Sequence, residues 1–518
     1  MSEIVTSGGI IAGERIAVSE SPTNFQAIEA ETGLPLSGVF AEATPALIDQ
    51  ACRSAREAFA VMRRMPAERL GDLLATIADG MRNERVEIEH RCRAETGFLP
   101  QRVAGEFDRA VGQLELFADL ARRRVWDDRQ IDPADPERPG MPRPELRRRK
   151  IPVGPVAVFG ACNFPLAIST AGNDTVAAFA VGCPVIVKSH PGHPGTCELI
   201  GRVIAEAVSS KNFPPGTFSL LHGRQPQTSC DLVAHPSIAA VGFTGSPAAG
   251  RALARVAADR DHPIPCFAEL GSTNPVCVTD AAMQSRGDDI SSGFVASLRF
   301  GNGQMCTKPG LVVMTTASAR ALGEKAATML HEMDPLPLLN ANVAKGFDRG
   351  TSRLEENEGV EILTPKPQPT ATSTLGPYHR SARLYLLHAN ETTSWSELLH
   401  QETFGPVSLL VACDDEDAML NVMSQFTGSL TATLHDQDGV DEAFQDAWLD
   451  IAMQFAGRII HNGWPTGMEI GPATHHGGPF PASLDGRSTS VGYASLDRFV
   501  RPICFQNWRG FPHDHPSH

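Results

Sequence analysis

No stretch of about 18 or more consecutive apolar residues occurs in this chain, so no membrane-spanning helix is expected. The longest apolar runs lie near Ala177 to Val187 and are broken by Gly182 and Pro184. The first residues, Met1 to Ser21, carry Glu3, Glu14 and Glu20 and lack the apolar core of a signal peptide. Cys-x-x-Cys pairs are absent, and the 11 cysteines are scattered singly. That argues against a disulfide framework and a zinc centre, and points to the reducing cytoplasm. Positive charge is in deficit: 45 Lys plus Arg face 60 Asp plus Glu, a net charge of −15. Such a protein repels nucleic acid and anionic membrane. There is no internal repeat and no low-complexity tract.

A chain of 518 residues is long enough for two or three structural units, and 42% apolar with 20% charged residues is ordinary for a globular enzyme. The first third reads as helices. Thr44-Pro45 is a cap followed by proline, and Ile48, Ala51, Ala55 and Phe59 then recur at helical spacing. Leu70, Leu73, Leu74, Ile77 and Met81 form a second stripe; Phe107, Val111, Leu114 and Phe117 form a third. Residues 130–150 are dense in Pro, Asp and Arg and have no apolar period, which predicts a solvated or subunit-bridging arm.

From Ile151 the pattern becomes alternating strands and helices. Val156–Phe159, Val185–Lys188, Phe218–Leu221 and Ala239–Phe243 read as strands, and Glu198–Val208 as a helix. A second α/β pattern starts near Pro275, with strands at Leu311–Met314, Leu384–Leu387 and Val407–Val411 and a helix around Ala319–Met333. Alternation of this kind predicts doubly wound α/β sheets. The apolar residues of Ser488 to Asn507 have no helix period and suggest an edge strand seeking a partner subunit.

Four segments carry chemistry. Gly303-Gln304-Met305-Cys306-Thr307 puts a cysteine on a glycine-containing turn that can open onto a cleft, although one cysteine of 11 is more often packing. Phe267-Ala268-Glu269-Leu270-Gly271 closes an apolar strand on a carboxylate. Burial there raises the carboxyl pKa and suits Glu269 to act as a general base, and a salt-bridged strand-end Glu is the equal alternative. Cys162-Asn163-Phe164-Pro165 offers an amide donor for an oxyanion, or simply a turn-forming Asn. Gly242-Phe243-Thr244-Gly245-Ser246, with Gly250 behind it, follows a strand and opens a helix whose N-terminus favours a phosphate. It is not the G-x-G-x-x-G fingerprint of Rossmann dehydrogenases, and an ordinary strand-to-helix turn has the same appearance. His475-His476 suggests a metal only superficially, because no third ligand is evident; no metal is expected.

Taken together, Asn163-Phe164-Pro165, Phe243-Thr244-Gly245-Ser246, Glu269-Leu270-Gly271 with Asn274-Pro275, Gly303-Gln304-Met305-Cys306 and Glu402-Thr403-Phe404-Gly405-Pro406 resemble the aldehyde dehydrogenase superfamily in order and approximate spacing. The resemblance implies two doubly wound α/β domains, one for the cofactor and one for catalysis, plus a β oligomerisation arm. The expected boundaries are 1–129 and 151–271 (with part of 458–480) for the cofactor domain and 272–457 for the catalytic domain. The arm takes 130–150 and 481–507, with 508–518 as a tail. It also implies roles. Cys306 is the nucleophile, Asn163 and the Cys306 N–H hold the oxyanion, and Glu269 activates water. Lys188 and Glu402 bind the riboses of NAD or NADP, Ser246 with Gly245 and Gly250 faces the pyrophosphate, and Phe404 packs near the nicotinamide ribose.

Cys162 before the Asn, Ser272-Thr273 after the catalytic Glu, the segment Lys188 to Thr196 and the C-terminal tail look like the branch containing 2-oxoglutarate semialdehyde (2,5-dioxopentanoate) dehydrogenases. NADP-linked fatty aldehyde dehydrogenases are the runner-up. Three positions after Lys188, where NAD-preferring members carry an acid, stands Pro191, with His190 and His193 nearby; NADP is therefore expected to be accepted, alongside NAD. Arg299 is a candidate for the substrate carboxylate, and Ser483, Ser488 and Thr489 are polar candidates. A cysteine hydrolase needs a His base that no segment singles out, a non-catalytic scaffold has no need of the trio Cys306, Glu269 and Asn163, and CoA-acylating relatives generally lack the Glu. The expected partners are a small aldehyde and further copies of the chain, as a homodimer or homotetramer.

Overall fold

In the computed structural model, which describes residues 5–365, 375–389 and 396–511, five short buried segments build a parallel sheet. They are Val156–Phe159, Val185–Lys188, Phe218–Leu221, Ala240–Thr244 and Cys266–Glu269. The first three step outward in one direction, and the last two lie on the other side of Val156–Phe159. Strand order therefore reverses between Val156–Phe159 and Ala240–Thr244, and in open α/β sheets the crevice at the carboxyl ends of such strands takes ligands. Ile10–Ile11 and Glu14–Arg15 extend the far edge antiparallel.

The apolar stretch interrupted by Gly182 becomes the helix Asn173–Val181, buried on every side. Gly182 ends it at φ 92°, a left-handed turn that delivers the chain into the strand Val185–Lys188. The expected stripes are core. Thr44 caps Pro45–Met62 by accepting from the Leu47 N–H at 3.3 Å. Leu70 to Met81 bury one face of Ala67–Asn83, and Phe107 to Phe117 one face of Pro100–Arg123. The helix Arg85–Thr96 is absent from the sequence reading because its charged residues break the apolar period. It buries Arg91 and Glu95 as an ion pair at 3.0 Å.

The second α/β pattern begins at the strand Pro275–Val278, within a sheet ordered Val360–Ile362, Arg383–His388, Val407–Cys413, Leu311–Thr315, Pro275–Val278, Ser429–His435 and Ala456–His461. All run parallel except Val360–Ile362. Residues 456–461 thus pair with Ser429–His435 in this second sheet, so the part of 458–480 expected in the cofactor half does not include 458–461.

The arm also differs from expectation. Within the expected arm, residues 130–150, the strand Leu146–Pro152 runs on past 150 and is the central strand of a three-stranded antiparallel sheet between Gln130–Asp132 and Val500–Gln506. Arg149 is buried there against Asp127 at 2.9 Å, so a run of basic residues proves compatible with a strand once the inward one is paired. Residues 481–499, expected in the arm, return instead to the first sheet. Leu270 N–H donates to Ala482 O (2.8 Å) and Leu484 N–H to Ala268 O (3.0 Å), and a short 3-10 helix, Tyr493–Phe499, follows. Among the described residues no helix is long and apolar enough to cross a membrane.

One buried ion pair fastens this return. Arg498 binds Asp174, on the all-buried helix, and donates to Phe267 O at 2.7 Å. Removing one partner strands the other charge in a dry environment. Arg498→Met is expected to destabilise the fold by about 3–5 kcal/mol, read as the shift in a denaturant or thermal melt. An unchanged melt would mean the pair is dispensable.

Candidate active site

Every candidate residue of the first sheet sits just past the carboxyl end of a strand. Asn163 follows Val156–Phe159, Lys188 ends Val185–Lys188, Gly245 and Ser246 follow Ala240–Thr244, and Glu269 ends Cys266–Glu269. The cysteine loop comes from the second half. Gly301, Asn302 and Gly303 all have positive φ (59°, 53° and 67°), a tight turn that reverses the chain after the helix Asp280–Arg299. A Cβ at Gly303 would strike the Gly405 carbonyl, so only glycine brings these two loops into contact.

The turn is clamped by amides. Gln304 Oε1 accepts from Leu339 N–H at 2.9 Å. Asn274 Nδ2 donates to Cys306 O (2.7 Å) and Lys308 O (3.0 Å), while its Oδ1 accepts from Ser272 Oγ (2.9 Å) and Thr431 Oγ1 (3.1 Å). The Cys306 N–H has no partner among the described residues. Asn163 donates from Nδ2 to Gln304 O at 2.9 Å, which places the amide two residues from the cysteine and leaves its second N–H available. Its loop is held by Glu106, which accepts from Leu166 N–H (2.8 Å) and Ala167 N–H (3.0 Å), and by Arg102, which donates to Asn163 O at 3.2 Å.

Glu269 is buried and fully engaged. His476 Nε2 lies 3.0 Å from Oε1, and Ser490 Oγ donates to Oε2. Burial pushes this carboxyl up, but the His476 charge and hydrogen bond, the Ser490 hydroxyl and the Arg498 charge outweigh it, so the pKa lies below the ordinary carboxylate value. This corrects the expectation that burial raises Glu269: the low-dielectric site also concentrates donors, and they win.

His476 Nε2 is also 3.5 Å from Cys306 Sγ, and its buried Nδ1 has no partner among the described residues. The thiol is half-buried, and burial, followed by the negative charges of Glu269 and Glu402, raises its pKa well above the ordinary range. Sequence reading saw no third ligand beside His476 and no His base for a cysteine nucleophile. The fold supplies both, since Glu269, Cys306 and His476 bring their ligand atoms within 4.8 Å of one another. His476 and Ser490 are therefore residues the sequence reading missed. The adjacent histidines were visible, but a separation of 207 positions from Glu269 gave no reason to join them. Of the polar candidates near the C-terminus, Thr489 Oγ1 accepts from His476 N–H at 2.8 Å, and Ser483 forms a backbone bridge with Glu269.

The cofactor candidates divide between two places. Ser246 is exposed and caps the helix Pro247–Ala258 by accepting from Ala249 N–H at 3.4 Å; Gly245 N–H donates to Glu269 O (3.1 Å), and Gly250 is buried one turn into the helix. This exposed helix N-terminus, lined by small residues, fits a pyrophosphate. Lys188 is buried without an ion pair among the described residues. Desolvation draws its pKa down to about 8, with Glu42 and Cys197 the charges acting on it in the other direction. An unpaired ammonium at a strand end fits ribose hydroxyls. Glu402 lies elsewhere: burial lifts it to about 7 against the opposing charge of Lys308, and a Cβ at Gly271 would strike its Oε2. Phe404 packs against the core of the first half. Arg299 spends its donors on Asn302 Oδ1 (3.2 Å) and Asp334 O (2.8 Å), and the charge acting on it is that of Asp334.

Two α/β sheets with a cysteine, a carboxylate and an amide brought together at the strand ends define the class. The family model of the aldehyde dehydrogenase family matches residues 17–478, and the chain belongs to that family. More particularly, it is 40% identical over 503 residues to alpha-ketoglutaric semialdehyde dehydrogenase of Acinetobacter baylyi, covering 96% of this chain and 93% of that one. It is 41% identical over 509 residues to alpha-ketoglutaric semialdehyde dehydrogenase 2 of Azospirillum brasilense, with 96% and 93% covered. Among solved structures, 1-pyrroline-5-carboxylate dehydrogenase from Thermus with bound NAD superposes at a TM-score of 0.82 and 20% identity, covering 97% of this chain and 92% of that one.

The charges around the thiol make one outcome measurable. A negative neighbour disfavours the thiolate, so Glu269→Gln should lower the pKa of Cys306. The midpoint of iodoacetamide alkylation of Cys306 against pH, followed by peptide mass spectrometry, is expected to move below that of the unmodified protein. A midpoint at or above it would mean that Glu269 assists ionisation of the thiol at equilibrium.

Proposed function

We propose that the chain oxidises 2-oxoglutarate semialdehyde to 2-oxoglutarate with NAD or NADP. The chemistry is supported by the Cys306 thiol, 3.5 Å from a His476 that is itself bonded to Glu269, with the Cys306 N–H, unpartnered among the described residues, and the Asn163 amide beside it, and the substrate by the similarity to the two alpha-ketoglutaric semialdehyde dehydrogenases. The thiol gives its proton to the Glu269–His476 pair, and the thiolate attacks the aldehyde carbon. The Cys306 N–H and the second N–H of Asn163 hold the oxygen of the resulting thiohemiacetal. NAD(P), when bound, supplies the acceptor for the hydride that leaves this carbon. Cys306 then carries a thioester. The proton taken up first is released to solvent, and Glu269, freed to accept another, activates the water that cleaves the thioester. Ser490 and His476 orient the Glu269 carboxylate throughout.

Lys188 and the Pro247–Ala258 N-terminus would hold the adenosine ribose and pyrophosphate, and Glu402 with Phe404 the nicotinamide ribose. Pro191 brings no acid to the cofactor, and His193 is turned inward, 3.2 Å from both Cys197 Sγ and Ala161 O. Glu42, whose charge acts on Lys188, has its oxygens engaged by Arg224 N–H, Gln225 N–H and Thr228 Oγ1. A carboxylate occupied in this way has little acceptor capacity left for a ribose 2′-OH and so offers NAD no selective contact, which supports use of both cofactors.

The nearness of His476 to Cys306 gives a cysteine hydrolase the base that the sequence withheld, so a cofactor-free reaction is the second reading. Initial rates of NAD(P)H formation separate these. With 2-oxoglutarate semialdehyde, succinic semialdehyde and a long-chain aldehyde, each with NAD and NADP, the first is expected to give the highest kcat/KM and NADP to be accepted. Cys306→Ala abolishes turnover, and Asn163→Ala lowers kcat by roughly 10²–10³-fold, the effect of losing one oxyanion donor. Preference for the long-chain aldehyde would transfer the chain to a fatty aldehyde function. Ester hydrolysis without NAD(P)H formation from any aldehyde would favour the hydrolase.

We also infer a cytoplasmic homo-oligomer, dimer or tetramer, built through the arm. All 11 cysteines are free, and Val500–Gln506 is an edge strand with one side of its backbone ladder unpaired in the protomer. Sedimentation velocity of the intact chain is expected to show two or four protomers. A monomer at micromolar concentration would remove this role from the arm.

A further inference from the structure

The helix Pro100–Arg123 lays one face along the loop that carries Asn163. Arg102, Glu106 and Gln113 are all committed there. Arg102 pairs with Glu106 at 2.7 Å and donates to Asn163 O, Glu106 accepts two N–H groups of the loop, and Gln113 Nε2 donates to Ala167 O at 3.4 Å. Arg109 stands on the same face, one turn beyond Glu106. Its guanidinium lies 5.5 Å from the centre of the Phe164 ring, next to the oxyanion asparagine. Its charge reaches both Cys306 and Glu269. Yet among the described residues it has no hydrogen bond and no ion pair, and its Nε is buried without a partner.

Among the described residues, the other arginines and the lysine placed around the cysteine loop are engaged, and Lys188 stands apart at the cofactor end. Arg299 bonds its own loop, and Lys308 donates to Thr403 O (3.1 Å) and Val407 O (2.5 Å). Arg458, whose charge also reaches the thiol, donates to Pro465 O (2.7 Å) and Gly467 O (3.1 Å). Arg498 binds Asp174 and Phe267 O. An acidic aldehyde at Cys306 meets the charges of Glu269 and Glu402, which also act on the thiol, so a free cation is needed to offset them. A guanidinium stacked on an aromatic face and open at its nitrogens is built to take a carboxylate in two parallel hydrogen bonds.

We propose that Arg109 is the specificity-determining residue that binds the carboxylate of the aldehyde substrate and so selects semialdehydes of keto or dicarboxylic acids over uncharged aldehydes. This rests on the proposed substrate, and the test keeps the two apart. The quantity measured is the ratio of kcat/KM for 2-oxoglutarate semialdehyde to that for butanal, a ratio indifferent to any change in thiol reactivity caused by removing a nearby charge. Arg109→Met, which retains length and the Phe164 contact, is expected to lower the ratio on the order of 10- to 100-fold, chiefly through KM for the acid. Arg109→Lys, keeping charge but not the fork, is expected to lose part of the ratio, and it carries the test if Arg109→Met does not melt cooperatively. If the unmodified protein prefers the acidic aldehyde and both variants keep the full ratio, Arg109 is not the recognition residue and the proposed substrate stands. If the unmodified protein shows no preference, the proposed substrate fails and the assignment of Arg109 with it.

Discussion

A single buried carboxylate organises this protein. Glu269 closes the last strand of the first sheet, and an isolated carboxylate there would be costly to desolvate. The fold meets that cost by bringing His476 and Ser490 to it from the C-terminal return and by setting Arg498 near enough for its charge to be felt. Those contacts require residues 476–490 to run over the strand ends, which in turn places His476 against the thiol of the second half. The first sheet, the cysteine loop and the chain's return are thus joined at one point, and the carboxylate proposed as the base is also the structural keystone.

The cysteine is positioned by different means. Three consecutive left-handed residues turn the loop, and Asn274 anchors it from below through the carbonyls of Cys306 and Lys308. Because Asn274 is held in turn by Ser272 and Thr431, the strand Pro275–Val278 and the loop move as one body. Such preorganisation leaves N–H groups aimed and unspent, which is what stabilises charge that develops only during reaction.

Much of this was legible in the residues. Helical stripes from Leu70 and Phe107, the buried strands after Ile151 and the fresh start at Pro275 follow from local period, and Asn163, Glu269 and Cys306 stand where strands end or glycines turn. What escaped did so for physical reasons. The helix Arg85–Thr96 hides its period because two of its buried positions are the charged, mutually paired Arg91 and Glu95. His476 and Ser490 join Glu269 across more than 200 positions, a proximity that no local pattern encodes. The direction of the Glu269 shift was misjudged because burial is visible in an apolar run, whereas the donors that oppose it are not. The arm was misjudged in a similar way: Arg149 reads as solvated until Asp127 is seen beneath it.

The late position of His476 and Ser490 has a bearing on synthesis. As the chain leaves the ribosome, Glu269 and Cys306 emerge well before the segment that contacts both. Until residues 476–490 dock, Glu269 lacks the His476 and Ser490 contacts that fix its orientation. In a nascent chain the proposed nucleophile and base are therefore both present before they are aligned, and completion of the fold is what brings them into register.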